Sequence, residues 1–201
     1  SYQWNRDGAA VSGATDATYT LTQADVGTAI TVTASYTDTP LNNVGTAESV
    51  TSDPTAAVAN VNDAPTGTVT ISGTPTEDQT LTAANTLADE DGLGAISYTW
   101  SNGATGDTIV LGQSDVGNPI TVTASYTDTQ GTAESVTSDP TAAVANVNDA
   151  PTGTVTISGT PTEDQTLTAS NTLADEDGLG TISYQWNRDG AAVSGATDAT
   201  Y

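Results

Sequence analysis

Hydrophobic and polar residues alternate along several short stretches of the chain. In the clearest stretch, Ile120, Val122, Ala124 and Tyr126 are separated by threonine and serine, and the run 30–36 repeats the same order. Strict alternation predicts β-strands that bury one face and expose the other. No window has the spacing of an amphipathic helix.

Further strand candidates lie on both sides of the run at 120–126, in the same repeat unit, and glycine, proline, asparagine and aspartate separate them. They cover residues 67–72, 79–84, 95–100, 107–111 and 132–138. About seven short strands, with a turn every eight to twelve residues, predict an antiparallel β-sandwich.

The chain is built almost entirely from a repeat. The segment VNDAPTGTVTISGTPTEDQTLTA begins at Val61 and again at Val147, 86 residues later, while residues 1–19 recur as residues 183–201. The preceding period is therefore 96 residues, and the extra residues are expected in loops, after Trp4 and in TDTPLNNVGT at 37–46. Units of this length suit small sandwich domains better than solenoid repeats.

The repeat predicts an elongated series of tandem antiparallel β-sandwich domains in an all-β chain. Residues 61–146 are expected to form a complete repeat. Residues 1–60 correspond to the C-terminal part of a repeat without its first strands, and residues 147–201 to the N-terminal part of another.

Composition narrows the functional classes. The chain has 25 acidic residues, only two basic ones and a formal charge of -23, so we expect it to repel nucleic acid and anionic membranes. High charge with few aromatic residues is also typical of disordered chains, but the alternation favours a folded protein. Histidine and cysteine are absent, which removes imidazole bases, thiol nucleophiles and the usual zinc ligands. We therefore expect no enzymatic activity.

Two parts of the repeat resemble known families. SYQWNRDGAAVSGATDATYTL followed by TQADVGTAITVTASY resembles the middle of an immunoglobulin-like domain, and Ala83 and Val122 occupy positions that correspond to its disulfide. The motifs NDAPTG, TEDQTLTA and LADEDG resemble the VCBS-type and cadherin-like repeats of large bacterial repeat-in-toxin adhesins, although the LDRE motif of cadherins is absent. This resemblance implies a bacterial surface or secreted location.

The acidic motifs are candidate calcium sites, because Ca²⁺ prefers carboxylate, amide and carbonyl oxygens. The immunoglobulin-like arrangement implies that each entry linker lies beside the loop that follows the second strand. The candidates are Asn60, Asn62, Asp63, Asp89, Glu90 and Asp91 at the first linker, and Asn146, Asn148, Asp149, Asp175, Glu176 and Asp177 at the second.

The preceding repeat is expected to add ligands from its opposite end. These are Glu77, Asp78 and Asp115 at the second linker, and Asp25 at the first. Two simpler interpretations stay open: DEDG is a solvated acidic turn, and Asp115 hydrogen-bonds the backbone of its own corner.

The favoured functional hypothesis is a stalk of repeats that calcium stiffens at each junction. One alternative is a module that binds glycans or proteins through loops 5–18 and 101–106, and another is an acidic spacer that needs no metal. Trp4, Trp100 and Trp186 could stack on sugars, but their equivalent strand positions favour a core role.

The expected partners are neighbouring repeats of the same chain, and surface ligands bound through other regions. The two incomplete repeats are also expected to complement each other head to tail between separate chains.

Overall fold

The computed structural model describes residues 1–38 and 45–201. Within these ranges the chain is all-β, with fourteen strands in several antiparallel sheets and two short 3-10 turns. The longer loop expected at 37–46 falls mainly on residues 39–44, outside the described residues. No helix in the described part of the chain has the length and apolar character needed to cross a membrane.

The first incomplete repeat forms a four-stranded antiparallel sheet in the order β2-β1-β3-β4. Its strands are β1 Tyr2–Arg6, β2 Ala9–Ala10, β3 Ile30–Thr37 and β4 Ala47–Thr51. Asp7 and Gly8 connect β1 to β2 with φ angles of 44° and 80°. Positive φ at both turn residues matches the right-handed twist of the hairpin strands, which explains the Asp-Gly sequence here.

The complete repeat contains six strands in two three-stranded sheets, ordered β5-β6-β8 and β10-β9-β7. The strands are β5 Val69–Ser72, β6 Thr80–Asn85, β7 Ser97–Trp100, β8 Thr108–Val110, β9 Val122–Thr127 and β10 Ala133–Thr137. All the strands predicted in this repeat are present, with ends shifted by one or two residues. The strand order is consistent with an immunoglobulin-type β-sandwich.

The last incomplete repeat contains two antiparallel hairpins. Its strands are β11 Val155–Ser158, β12 Thr168–Asn171, β13 Asn187–Arg188 and β14 Ala191–Ala192. The turn at Asp189 and Gly190 repeats the positive φ angles of the turn in the first repeat, at 49° and 81°. Identical sequence has therefore produced the same local hairpin twice.

The chain divides into two compact units whose limits differ from those of the sequence repeats. Unit 1 comprises residues 1–70, 84–99 and 122–138, and unit 2 comprises residues 71–83, 100–121 and 139–201. Each unit contains one of the two linkers together with residues that precede and follow it. Each linker is therefore part of a compact body.

Equivalent positions of the repeats differ in burial. In unit 1, Ala124 and Tyr126 on β9 are 0% and 5% exposed, whereas Ala34 is exposed and Tyr36 is 60% exposed at the same positions of β3. In unit 2, Leu81 is fully buried, whereas Leu167 is half-buried at the same position of the last repeat. The incomplete repeats thus keep the strand pattern but leave part of the inward face uncovered.

The tryptophans occupy core positions of the hairpins. Trp100 and Trp186 are buried, Trp4 is half-buried, and each indole N–H donates to a backbone carbonyl at 2.9 Å. Trp4 also stacks on Tyr19, with ring centroids 5.7 Å apart. These contacts confirm the core interpretation for Trp100 and Trp186. Ala83 and Val122, at the expected disulfide positions, are both buried.

Candidate metal centre

The DEDG loop is a turn that its first aspartate organises. In unit 1 the backbone N–H of Asp91 donates to Asp89 Oδ1 at 2.8 Å, and the N–H of Gly92 donates to the Asp89 carbonyl at 3.2 Å. Asp177 and Asp175 make the equivalent side-chain contact in unit 2, at 3.0 Å. Aspartate favours such turns because its carboxylate can accept from the backbone two residues later. The loop therefore presents its second aspartate in a fixed direction.

Each linker is attached to the acidic loop of its own unit by the same backbone-to-carboxylate hydrogen bond. The N–H of Asp63 donates to Asp91 Oδ2 at 2.8 Å, and the N–H of Asp149 donates to Asp177 Oδ2 at 2.8 Å. The structure thus brings together the linker and loop candidates that the sequence paired, in both units.

In unit 2 a third carboxylate joins this arrangement. Glu77, Asp149 and Asp177 each place one carboxylate oxygen so that all three atoms lie within 4.8 Å of one another. This is the only such group of acidic side chains within residues 1–38 and 45–201. One acidic cluster in the described part of the chain could therefore hold a metal ion.

The turn between β5 and β6 positions Glu77. Its backbone N–H donates to the Ala145 carbonyl at 2.9 Å, and Oε2 accepts the N–H of Val147 at 3.1 Å. Glu77 is only 3% exposed. Asp78, the next residue, has a positive φ of 62° and is not in the cluster. The turn therefore sends one of its two acidic side chains towards the linker.

The charges of this cluster favour a cation. Two carboxylates about 4 to 5 Å apart repel by about 3 to 4 kcal/mol at an effective dielectric of about 20. Oxygens bound to one Ca²⁺ at about 2.3 to 2.6 Å can lie up to about 5 Å apart, so the observed spacing fits a shared ion. Gln113 Oε1 in the same unit is also buried and has no hydrogen-bond partner among the described residues. A buried carbonyl oxygen of this kind is suited to a cation or to water.

Unit 1 has a different arrangement around Asp91, which is 1% exposed. Besides the linker N–H, its carboxylate accepts a hydrogen bond from Gln23 Nε2 at 2.8 Å. Among the described residues, no glutamate joins Asp91 in a group of three acidic side chains. Asn60 Oδ1 is buried here without a hydrogen-bond partner in the described part of the chain.

The structure does not bring Asp25 or Asp115 into the cluster. Asp25 is fully buried, accepts from Arg6 at 2.7 Å and from the Tyr19 hydroxyl at 3.0 Å, and also accepts the N–H of Thr22. Burial raises the pKa of Asp25, but the hydrogen bonds from Thr22, Arg6 and Tyr19 outweigh burial and lower it overall.

Asp115 accepts the N–H of Gly112 at 3.0 Å and a hydrogen bond from Asn102 Nδ2 at 3.1 Å. The backbone contact is the corner role that the alternative interpretation assigned to Asp115.

The other candidates lie around the two loops without joining a group of three carboxylates in the described residues. Glu90 and Glu176 are exposed. Asn62 Nδ2 donates to Glu134 Oε1 at 2.8 Å, and Asn148 Nδ2 donates to the Asp149 carbonyl at 2.9 Å. Asn146 is exposed.

Sequence reasoning missed two acidic residues on the hairpin formed by β9 and β10. Asp128 is 5% exposed, and Glu134 lies opposite Tyr126 in the strand register. The alternation of Val122, Ala124 and Tyr126 continues to position 128, so the pattern did contain a signal that Asp128 points inward.

Comparisons of the chain with protein-family models, with curated proteins and with solved structures give no match.

Proposed function

We propose that this chain is part of a structural stalk of tandem repeats in a bacterial extracellular adhesin, and that calcium binds at the junctions to hold each linker in place. The role is structural rather than catalytic. The observation that carries the proposal is the convergence of Glu77, Asp149 and Asp177 within 4.8 Å. These residues come from three separate segments: the turn before β6, the linker and the DEDG loop.

A cation at this position would connect the three segments directly. Asp149 already contacts Asp177 through its N–H, and Glu77 already accepts the N–H of Val147 in the linker. The ion would replace carboxylate repulsion with attraction and so restrict the linker to one conformation. A series of such junctions would behave as a rod in calcium and as a flexible string without it.

Calcium suits these ligands better than other common metals. All three are carboxylates, whereas zinc and copper sites usually contain histidine or cysteine, and this chain has neither. Extracellular calcium modules typically have dissociation constants of about 0.1 to 1 mM. The stiffness of the stalk would then respond to the calcium content of the medium.

The first test compares melting in calcium and in magnesium at equal ionic strength. Calcium at 100 times its dissociation constant should add about 2.7 kcal/mol per site. For a domain of about 60 to 100 residues, each kcal/mol raises Tm by about 4 to 8 °C. An equal response to both ions would support the acidic spacer instead.

Glu77→Gln is the decisive variant, because it removes one charge from the cluster and keeps the size of the side chain. Glu163→Gln is its matched control, since Glu163 occupies the same repeat position and is not a member of the carboxylate cluster. We expect Glu77→Gln to lose the calcium-specific rise and Glu163→Gln to keep it. Small-angle scattering with calcium and with a chelator then tests stiffening, and an unchanged maximum dimension would contradict it.

We also propose that the two incomplete repeats can complement each other between separate copies of this polypeptide. Residues exposed in them, such as Tyr36 and Ile157, occupy positions that are more buried in the complete repeat. The complete repeat provides the template, because its β5 and β6 correspond to β11 and β12, and its β9 and β10 correspond to β3 and β4. In a longer array, the adjoining segments of the same chain would cover these faces.

A further inference from the structure

An open groove lies beside the linker of unit 1. Its volume is about 390 Å³, and its apolar lining comprises Leu21, Val26, Val58, Ala59 and Val61. Leu21 is 51% exposed and Val61 is 80% exposed. The backbone N–H and C=O groups of Leu21 and Ala59 have no hydrogen-bond partner among residues 1–38 and 45–201. The groove therefore offers apolar surface together with open backbone groups.

In unit 2 the turn before β6 fills the same position of the repeat. Residues 75–79 make four backbone hydrogen bonds there, two with Leu111 at 3.0 Å and two with Ala145 at 2.9 Å. Leu111 and Ala145 correspond to Leu21 and Ala59 of unit 1. Leu111 is 1% exposed beneath this turn. Unit 2 therefore shows what fits against the backbone groups that unit 1 leaves open.

The groove already has the backbone arrangement that holds this turn in unit 2. Val26 pairs with Val58 in a parallel bridge, as Val116 pairs with Val144. The 3-10 turn of three residues that precedes each of these bridges is also the same. Binding of a turn of this kind would therefore require little rearrangement of the groove, which favours affinity.

An identical turn lies exposed in the last repeat. Residues 161–165 have the same sequence as residues 75–79, PTEDQ, and all of them are exposed. Asp164 has a φ of 65°, and Asp78 has a φ of 62°. The backbone hydrogen bond that closes the turn is 3.0 Å long in the last repeat and 3.1 Å long in the complete one. The exposed turn therefore has its bound conformation before it binds, so less conformational entropy is lost.

We propose that the groove of one copy of this chain binds residues 161–165 of a second copy, in the register that the complete repeat shows. The inference rests on the complementation proposed above and identifies the contact at which it occurs. Addition of an extended segment to open backbone groups is a common mode of peptide recognition. The groove and the turn lie in different repeats, so successive copies would join head to tail.

This register requires an exchange of two identical segments. In the last repeat, residues 199–201 pair with β12, and the backbones of Leu167 and Tyr201 exchange hydrogen bonds of 2.8 Å and 2.9 Å. Residues 17–19 of the copy that carries the groove have the same sequence and would take the place of 199–201. Each lost contact is then replaced by an equal one, and the contacts of the bound turn are gained.

Binding of the turn would also bring a third carboxylate to the linker of unit 1. In unit 2, Glu77 is the residue of the turn that joins two aspartates in the carboxylate cluster. Glu163 is its counterpart in the exposed turn, and Asp63 and Asp91 are the counterparts of the two aspartates. Two copies would together assemble the same cluster at the first linker. If the junction proposal is correct, calcium should therefore favour association.

The test is disulfide cross-linking between two single-cysteine variants of the full 201-residue chain, which has no cysteine of its own. Thr20→Cys and Thr166→Cys change exposed residues that correspond to Val110 and Thr80, which lie directly opposite each other in the pairing of β8 with β6. Residues opposite each other in a sheet are close enough for a disulfide. We expect a mixed dimer of the two variants after incubation at high concentration and mild oxidation.

Thr20→Cys mixed with Thr156→Cys is the matched control. Thr156 is another exposed threonine of the last repeat, but it lies on β11, which β12 separates from the expected position of Thr20. We expect no mixed dimer above background from this pair. Equal yields of mixed dimer with Thr166→Cys and with Thr156→Cys would overturn the proposal.

A second measurement tests the groove without cysteine. Leu21→Ser removes an exposed leucine of the groove, and Leu93→Ser removes a leucine of the same unit that is 40% exposed and does not line the groove. Light scattering should show that Leu21→Ser loses the rise of mean mass with concentration and that Leu93→Ser keeps it. An equal rise with both variants would also overturn the proposal.

Calcium separates this proposal from the junction site. Glu163→Gln should keep the mixed cross-link and lose its enhancement by calcium. A mixed cross-link that calcium does not enhance would uphold binding in the groove and count against a cation at the first linker. A calcium-specific rise in Tm without a mixed cross-link would retain the junction site and reject binding in the groove.

Discussion

The linkers of unit 1 and unit 2 have nearly the same sequence and the same contact with the DEDG loop, but they differ in what approaches from the preceding repeat. In unit 1 the amide of Gln23 donates to Asp91, and in unit 2 the carboxylate of Glu77 joins Asp149 and Asp177. In unit 1 neutral N–H groups donate to the carboxylate of Asp91, whereas in unit 2 three carboxylates lie close together. Within the described residues, the same linker sequence is therefore hydrogen-bonded to a buried aspartate in unit 1 and lies in a cluster of three carboxylates in unit 2.

Gln23→Glu should have the largest effect, because it removes an amide donor and places a second carboxylate against buried Asp91. Loss of a hydrogen bond to a charged group costs about 1.5 to 3 kcal/mol, and repulsion adds to this cost. We expect a clear fall in Tm in chelator and partial recovery in calcium, measured by thermal unfolding. Gln113→Glu, at the same repeat position in unit 2, is the comparison variant.

No recovery in calcium would mean that a carboxylate from the preceding repeat is not enough to create a metal-dependent junction. The contrast between the two linkers would then need a different explanation.

Asp91→Asn and Asp177→Asn should have smaller effects on stability, and these effects should differ between the two linkers. Asp91 accepts two hydrogen bonds and is almost fully buried, so its replacement should cost about 1 to 3 kcal/mol with or without calcium. Asp177 is less buried and belongs to the Glu77 cluster, so its replacement should chiefly remove the calcium response. Urea unfolding of both variants in calcium and in chelator measures the difference, and identical profiles would contradict it.

The two 3-10 turns that precede the linkers, Gln23–Asp25 and Gln113–Asp115, allow a test by pH. The pKa of Asp25 is lowered in the folded state, so its ionised form contributes stability above its ordinary pKa near 3.8. This contribution is lost as the pH falls through the lower, folded pKa. Arg6→Gln removes one of the groups that lower this pKa, so we expect stability to decline at a higher pH than in the unsubstituted chain.

Asn102→Ala is the parallel change at Asp115, whose side-chain donor is neutral. Thermal unfolding from pH 3 to 7 would compare the two corners. A pH profile that Arg6→Gln leaves unchanged would show that the ion pair does not set the acid limit.

The smallest effect should be association of the 201-residue polypeptide. If β3 and β4 of one copy accept β11 and β12 of another, the mean mass from light scattering should rise with concentration. Tyr36→Ser, which replaces an exposed aromatic on the uncovered face, should reduce the rise. A single monomer mass at high concentration would contradict complementation.

Local patterns explain why much of the fold was predictable. Alternation identified β3 and β9, and glycine or aspartate turns identified the strand ends, because both signals act over a few residues. The partner of Asp25 was not predictable in this way, since Arg6 is 19 positions distant and reaches it only after the corner forms. Asp128 was missed because the alternating run was taken to end at Tyr126, although the same spacing continues to position 128.

The position of Glu77 beside the second linker was expected from a family resemblance, and its exact oxygen spacing was not. That spacing depends on the turn before β6, where Glu77 and Asp78 diverge. Adjacent acidic residues in a turn point in different directions, and sequence alone does not say which one faces a neighbour.

If the chain carries tension, as the proposed stalk would, the DEDG loop of unit 1 lies on the path of the force. A pulling force on the linker passes from the Asp63 N–H to Asp91, through the loop to Asp89, and from Asp89 to the Tyr126 hydroxyl on β9. Because these contacts act in series and each contributes only a few kcal/mol, we expect the loop to detach before the strands separate. The linker would then lengthen slightly under tension, dissipate work, and return to its original length when the tension falls.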